Sequence, residues 1–215
     1  METTTIPPAG VANAIRIEID DDATPIVRLL GRILRDASRT GHVADVLGRG
    51  SGSVAIRSHS TPQAATVTFA DGMVAVTGGV FAPVDAAVVV DLDSRCARVD
   101  TEGDADLADA VLGALQVPLP DWREAGARFW EQTRTIPGMP DVLTVVARGI
   151  EGSQEARFGV GDIAYRIVGS ADALAGFFTG TDFLFTALER GLRVQGSLAQ
   201  LSVMTAASWK ARYDV

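Results

Sequence analysis

The sequence predicts an α+β fold, and three observations carry that expectation. An Asp71-Gly72 pair sits between two alternating apolar runs. Amphipathic stretches at helical spacing lie before and after the strand-like region. Near the C-terminus, glycines separate a helix, a short strand and a last helix. Strands come first, then a helical block, then a strand and the closing helices, an order typical of segregated α and β elements. With 215 residues, 47% of them hydrophobic and 21% charged, the chain is globular and long enough for a substantial core.

Residues 1–22 read as a leader or edge strand, with alternation in Ile15-Arg-Ile17-Glu-Ile19 followed by Asp20, Asp21 and Asp22. Thr24-Pro25 opens a helix, with Pro at the first helical position. Ile26, Leu29, Leu30, Ile33 and Leu34 then repeat at helical spacing up to Thr40-Gly41. Gly48-Arg-Gly-Ser-Gly52 follows a helical region and precedes Val54-Ala-Ile56. This reverses the strand–loop–helix order of a phosphate cradle, so a plain connection is expected.

Asp-Gly between alternating runs marks a tight hairpin, because both turn residues must take positive φ. A two-residue loop pairs Phe69 with Val74 and Val67 with Val76, with all four side chains on one face. Ala86–Val90 is apolar enough for a central strand.

Residues 104–148 read as helical. Asp104 to Val117 forms one helix, Asp121-Trp-Arg-Glu124 caps a second that carries Trp122, Phe129 and Trp130, and Asp141 caps a third through Val145 and Val146. Gly149–Gly161 is polar and glycine-rich, and Ile163–Ile167 is a strand. Ser170-Ala-Asp172 starts a helix that stops at Gly180. Phe183–Leu188 forms another, Gly191–Gly196 brackets a short strand, and Leu198–Arg212 is the last helix. No internal repeat of fixed period is visible.

The net charge of −8 disfavours a duplex nucleic-acid partner and charge-driven docking on an anionic membrane. Eighteen arginines stand against Lys210 alone, and Asn13 is the sole asparagine. Codon bias accounts for both, although arginine also suits bidentate anion binding. A lone Cys96 leaves no disulfide framework. The N-terminus lacks a signal-peptide core, and no apolar run is long enough to span a membrane, so a cytoplasmic location is expected.

Catalytic signals are sparse. His42 and His59 have no metal-ligand spacing, and no nucleophile elbow is present. Asp91 and Asp93 alternate at a strand end, where they would share a face, yet no third ligand accompanies them. No catalytic residue, metal site or cofactor is therefore expected. Phe177, Phe178, Phe183 and Phe185 crowd into nine positions beside glycines. Packed cores and ligand walls share that composition, and both readings stand.

The 67–76 hairpin, the strand Ala86–Val90, the helix ending at Gly180 and the glycine-bounded Gly191–Gly196 strand together resemble the sterol carrier protein 2-like lipid-binding domain family. The match covers about 24–92 and 157–212. The resemblance implies one curved, mostly antiparallel sheet with helices on one face, enclosing an apolar tunnel. It makes 23–215 a single α+β domain, with 104–148 as a helical insertion over the tunnel mouth. On this reading the ligand-binding wall comprises Phe69, Val74, Val76, Phe177, Phe178, Phe183, Leu188, Leu198, Leu201 and Met204.

The expected function is thus a soluble, non-enzymatic carrier of a lipid or other apolar small molecule. The alternative is a protein-interaction module with a filled core, meeting a partner through the Trp122–Trp130 helix. An enzyme using His59 or Asp91 and Asp93 is the third reading.

Overall fold

A computed structural model describes residues 15–47, 50–150 and 152–213. The leader before residue 15 and Gly48-Arg49 of the glycine-rich connection lie outside them. β1 (Arg16–Ile19) is the edge strand that its alternation predicts. α1 (Pro25–Arg39) begins with Pro25 after an extended Thr24, whose side chain makes no cap bond. α2 (His42–Leu47), β2 (Gly52–Ser58), β3 (Ala64–Ala70) and β4 (Met73–Gly78) follow. Asp71 (φ 51°) and Gly72 (φ 78°) take the left-handed conformation that the tight turn requires. Phe69 lies opposite Val74 and Val67 opposite Val76, as the spacing predicts.

β5 (Ala86–Asp91) runs parallel to β2, and β6 (Ala97–Gly103) completes a six-stranded sheet of order β1-β4-β3-β2-β5-β6. β6 was hidden in the sequence because its residues, Arg98, Asp100 and Glu102 among them, are polar and largely exposed. α3 (Ala105–Leu115) starts on Asp104, whose carboxylate accepts from the Asp106 and Leu107 amides. Val54, Ile56, Val67, Phe69, Val74, Val76, Val88 and Val90 point to one face, where α1 and α3 bury them.

α4 (Trp122–Thr133), capped by Asp121, opens a second layer. Its sheet comprises β7 (Val142–Gly149), β8 (Gly152–Gly159), β9 (Ala164–Gly169) and β10 (Arg193–Gln195), ordered β10-β9-β7-β8. Between β9 and β10 come α5 (Ala171–Phe178), which Ser170 caps, and α6 (Leu184–Glu189); α7 (Leu198–Tyr213) ends the chain's described part.

Two expectations are corrected here. Residues 142–149 are a strand, not a helix: Val142, Thr144, Val145 and Val146 are β-branched, and apolar residues on both faces erase the period-2 signal. The polar stretch after it is β8, an exposed edge. The segment 104–148 is accordingly no helical insertion. α3 packs in the first core, while α4 and β7 build the second.

The class is α+β, with two mixed, mostly antiparallel sheets in place of one. The wiring repeats without any sequence period. In each half a helical segment leads into an antiparallel hairpin (β2–β3, β7–β8). A strand then returns parallel to the first (β5, β9), an antiparallel edge strand follows (β6, β10), and a helix closes (α3, α7).

A candidate binding cleft between the two halves

Arginines stitch the halves together. Arg32 of α1 is buried, and its Nε donates to the Arg212 carbonyl at 2.9 Å. Its Nη1 donates to the Thr179 carbonyl at 2.7 Å, at the C-terminus of α5, where helix geometry leaves carbonyls unsatisfied and favours a cation. Arg212 reaches back, donating to the Gly180, Thr181 and Leu92 carbonyls and to Asp93. Gly180 (φ 68°) allows this crossing, since a Cβ there would stand 2.6 Å from the Arg212 backbone.

Arg95 forms the other clamp. It donates from Nε and Nη2 to the two oxygens of Asp182, at 2.9 and 2.6 Å, and also pairs with Asp172. The Asp182 side chain is only 1% exposed, and Arg190 supplies a further partner at 3.3 Å. Hydrogen bonds from Arg95 hold the Asp172 carboxyl below its usual range, and the two aspartates raise the Arg95 guanidinium pKa. Arg95 and Cys96 both have positive φ (56° and 55°), a strained turn that its surroundings hold in place.

Beside this seam lies a cleft of about 790 Å³. One wall is the charged side of α1, with Arg32, Arg35, Asp36 and Arg39. The floor is the linker from Leu115 to Pro120. The far wall comes from α4 and α5, including Ala125, Arg128, Gln132 and Phe178. Apolar contacts therefore run along Ile33, Leu115, Val117, Leu119, Ala125 and Phe178, while five arginines face three carboxylates, Asp36, Glu124 and Asp172. Arg32 and Arg39 pair with Asp36, Arg128 with Glu124, and Arg95 with Asp172 and Asp182, so paired charges line one side of a partly apolar space. Arginine forks that already hold carboxylates suit the head of an amphipathic anion.

The ten predicted wall residues do not form one wall. Phe69, Val74 and Val76 are buried in the first core. Phe177, Phe178 and Met204 are buried in the second, with Leu188 and Leu201 packed against it. Phe183 packs at a tilt against Phe185 and edge-to-face against Trp209, and lines a separate cavity of about 180 Å³ on the seam. Leu198 is 85% exposed. Of the ten, Phe178 borders the large cleft.

Trp122 and Phe129 also turn inward: both are buried, and Trp130 packs over Gly159. This corrects the expectation of an aromatic partner surface on that helix. Asp91 and Asp93 form a turn instead of a paired site. Asp91 accepts from the Asp93 amide and its carboxyl is lowered by the Ser94 hydroxyl, whereas Asp93 meets Arg212. His42 Nε2 lies 2.7 Å from the Gly113 carbonyl, fastening α2 to α3. Burial pushes the Cys96 thiol up to about 11, which leaves it a poor nucleophile.

The cleft arginines escaped sequence reading as a site because the arginine excess has a compositional explanation. One signal was available: Arg28, Arg32, Arg35 and Arg39 recur at three- and four-residue spacing, a cationic stripe along α1. No helix among the described residues is long and apolar enough to cross a membrane. Neither a family model, nor a curated protein, nor a solved structure matches the chain.

Proposed function

We propose that the protein binds an amphipathic small molecule, an acyl lipid or a similar apolar anion, in the cleft between its halves, as a carrier without chemistry of its own. The observation that supports this reading is an apolar strip, Val117, Leu119, Ala125 and Phe178, beside the Arg39–Asp36 and Arg128–Glu124 pairs in one space of about 790 Å³, where a ligand's anionic head can exchange with a carboxylate. That volume lies in the range of small-molecule pockets. Each methylene removed from water contributes about 0.8 kcal/mol, so an acyl chain along the linker binds without any special polar chemistry. The arginine-fastened seam keeps the space open before a ligand arrives, which lowers the cost of binding. The sterol-carrier-like reading of the sequence belongs to the same proposal, with the ligand moved from a tunnel in one sheet to the seam between two.

Titration of the delipidated protein with a fluorescent fatty acid tests it. Saturable one-site binding is expected. Gln132→Trp, on the exposed side of the lining, should weaken it about tenfold by narrowing the cleft. Arg39→Glu combined with Arg128→Glu should weaken the acid more than the matching fatty alcohol. Absence of saturable binding, or affinities unmoved by all three changes, would overturn the proposal.

A further inference from the structure

The two sheets have four edges, and three are blunted. β1 has four residues and β10 three. β6 breaks register against β5 at Val89/Val90 and carries Asp100 and Glu102. Short strands, irregular register and charge are the usual ways of discouraging edge pairing. β8 is neither short nor irregular, and its charges, Glu155 and Arg157, are of opposite sign, which a second copy can match. It runs eight residues from Gly152 to Gly159 in unbroken register with β7, without proline or bulge, and its residues are exposed except Ala156 and Phe158, which are half-buried.

The direction of its backbone groups follows from the hairpin. Gly149 lies opposite Gly152 across a two-residue loop, so this closing pair exchanges hydrogen bonds. Residues 154, 156 and 158 then bond to β7, and Ser153, Glu155 and Arg157 aim N–H and C=O groups at the open edge. The side chains of Glu155 and Arg157 sit on the sheet's outer face, where they make no hydrogen bond or ion pair with the described residues.

We propose that β8 is the docking edge for a second copy of this chain, paired antiparallel about Ala156 so that the four-stranded sheet continues across a two-fold axis. In that register Glu155 faces the partner's Arg157, and Arg157 faces the partner's Glu155. Both pairs fall on the outer face, as opposite charges at directly opposed cross-strand positions. These same residues carry the outward backbone groups, so the ladder and the charge pairs agree on one register. The strand ends agree too. Residue 150 of one copy falls opposite residue 162 of the other, which brings Ile150, fully exposed, beside the 160–163 turn with its exposed Val160 and Ile163. One self-complementary patch is what an isologous dimer requires.

Sedimentation velocity over concentrations up to roughly 1 mM tests the pairing. A reversible dimer is expected. Glu155→Arg and Arg157→Glu should each raise its dissociation constant at least about tenfold, because each sets like charges opposite one another. The double variant E155R/R157E regenerates both pairs with exchanged signs and should restore the dimer, with circular dichroism confirming the fold throughout. Ala156→Cys should give a disulfide-linked dimer on mild oxidation, because residues opposed in a non-hydrogen-bonded pair lie about 4.5 Å apart between Cα atoms. Ser153→Cys, which faces Gly159 and not itself, should not. A protein monomeric at every concentration, or a dimer indifferent to both single reversals, would overturn the proposal.

Discussion

The two halves follow one wiring plan and differ in what they add to it. The first extends its hairpin with β4 and β1, so β3, the strand equivalent to β8, is covered, and the open edges are the four-residue β1 and β6, which a register shift breaks. The second spends its extra length on α5 and α6, between β9 and β10, and leaves β8 uncovered. Charge divides in the same way. Residues 1–117 hold sixteen carboxylates against nine arginines, while residues 118–215 hold eleven against ten basic side chains. Neither half contains the cleft. It exists because α1 of one half is held at a fixed distance from α4 and α5 of the other.

The halves come apart most readily at the seam. Asp182→Ala removes the buried carboxylate that Arg95 and Arg190 share, and should cost about 1.5–3 kcal/mol in denaturant unfolding, since both arginines keep contact with water and Arg95 keeps Asp172. It should also split one cooperative transition into two, because the halves keep separate cores. Matched deletions sharpen the picture. Ile56→Ala on β2 and Ile167→Ala on β9 remove fully buried side chains and should each cost about 2–5 kcal/mol. Hydrogen exchange should accelerate first in the half that carries the change.

Smaller effects belong to one helix cap in each half. Asp104→Ala at α3 and Ser170→Ala at α5 each remove a side-chain bond to an orphan amide and should cost about 1 kcal/mol. The smallest is the pH response of the Arg95 clamp. The folded Asp172 carboxyl titrates below its ordinary 3.8 because Arg95 holds it ionised. Its contribution is therefore complete above that value and is lost as pH falls through the folded pKa. Asp172→Asn should flatten that part of the stability profile at acid pH and leave neutral pH little changed, since this carboxylate is largely exposed.

Much of the fold was legible from local chemistry. The Asp71-Gly72 turn, Pro25 at the start of α1, the caps at Asp104, Asp121 and Ser170, and the glycines at 180 and 191 mark boundaries that the structure keeps. Strands failed at two extremes. β7, apolar on both faces, mimics a buried helix segment, and β6 and β8, polar and exposed, mimic loops. Misreading β7 concealed the second sheet, and with it the division into halves. The aromatic cluster at 177–185 was visible but served mainly as core and seam. The cleft was not legible, because its arginines come from α1, the β5–β6 turn and α4 and meet only after both halves have packed.

Where the ligand sits decides whether the cleft or a sheet core holds it. A fatty acid bearing a photoreactive diazirine on its chain, cross-linked to the delipidated protein and mapped by peptide mass spectrometry, reports which residues surround it. Saturable labelling of Ile33–Thr40, Leu115–Pro120 and Ala125–Gln132 is expected, suppressed by Gln132→Trp and by excess unlabelled fatty acid. Labelling confined to either sheet core, or spread over the surface without saturation, would contradict it.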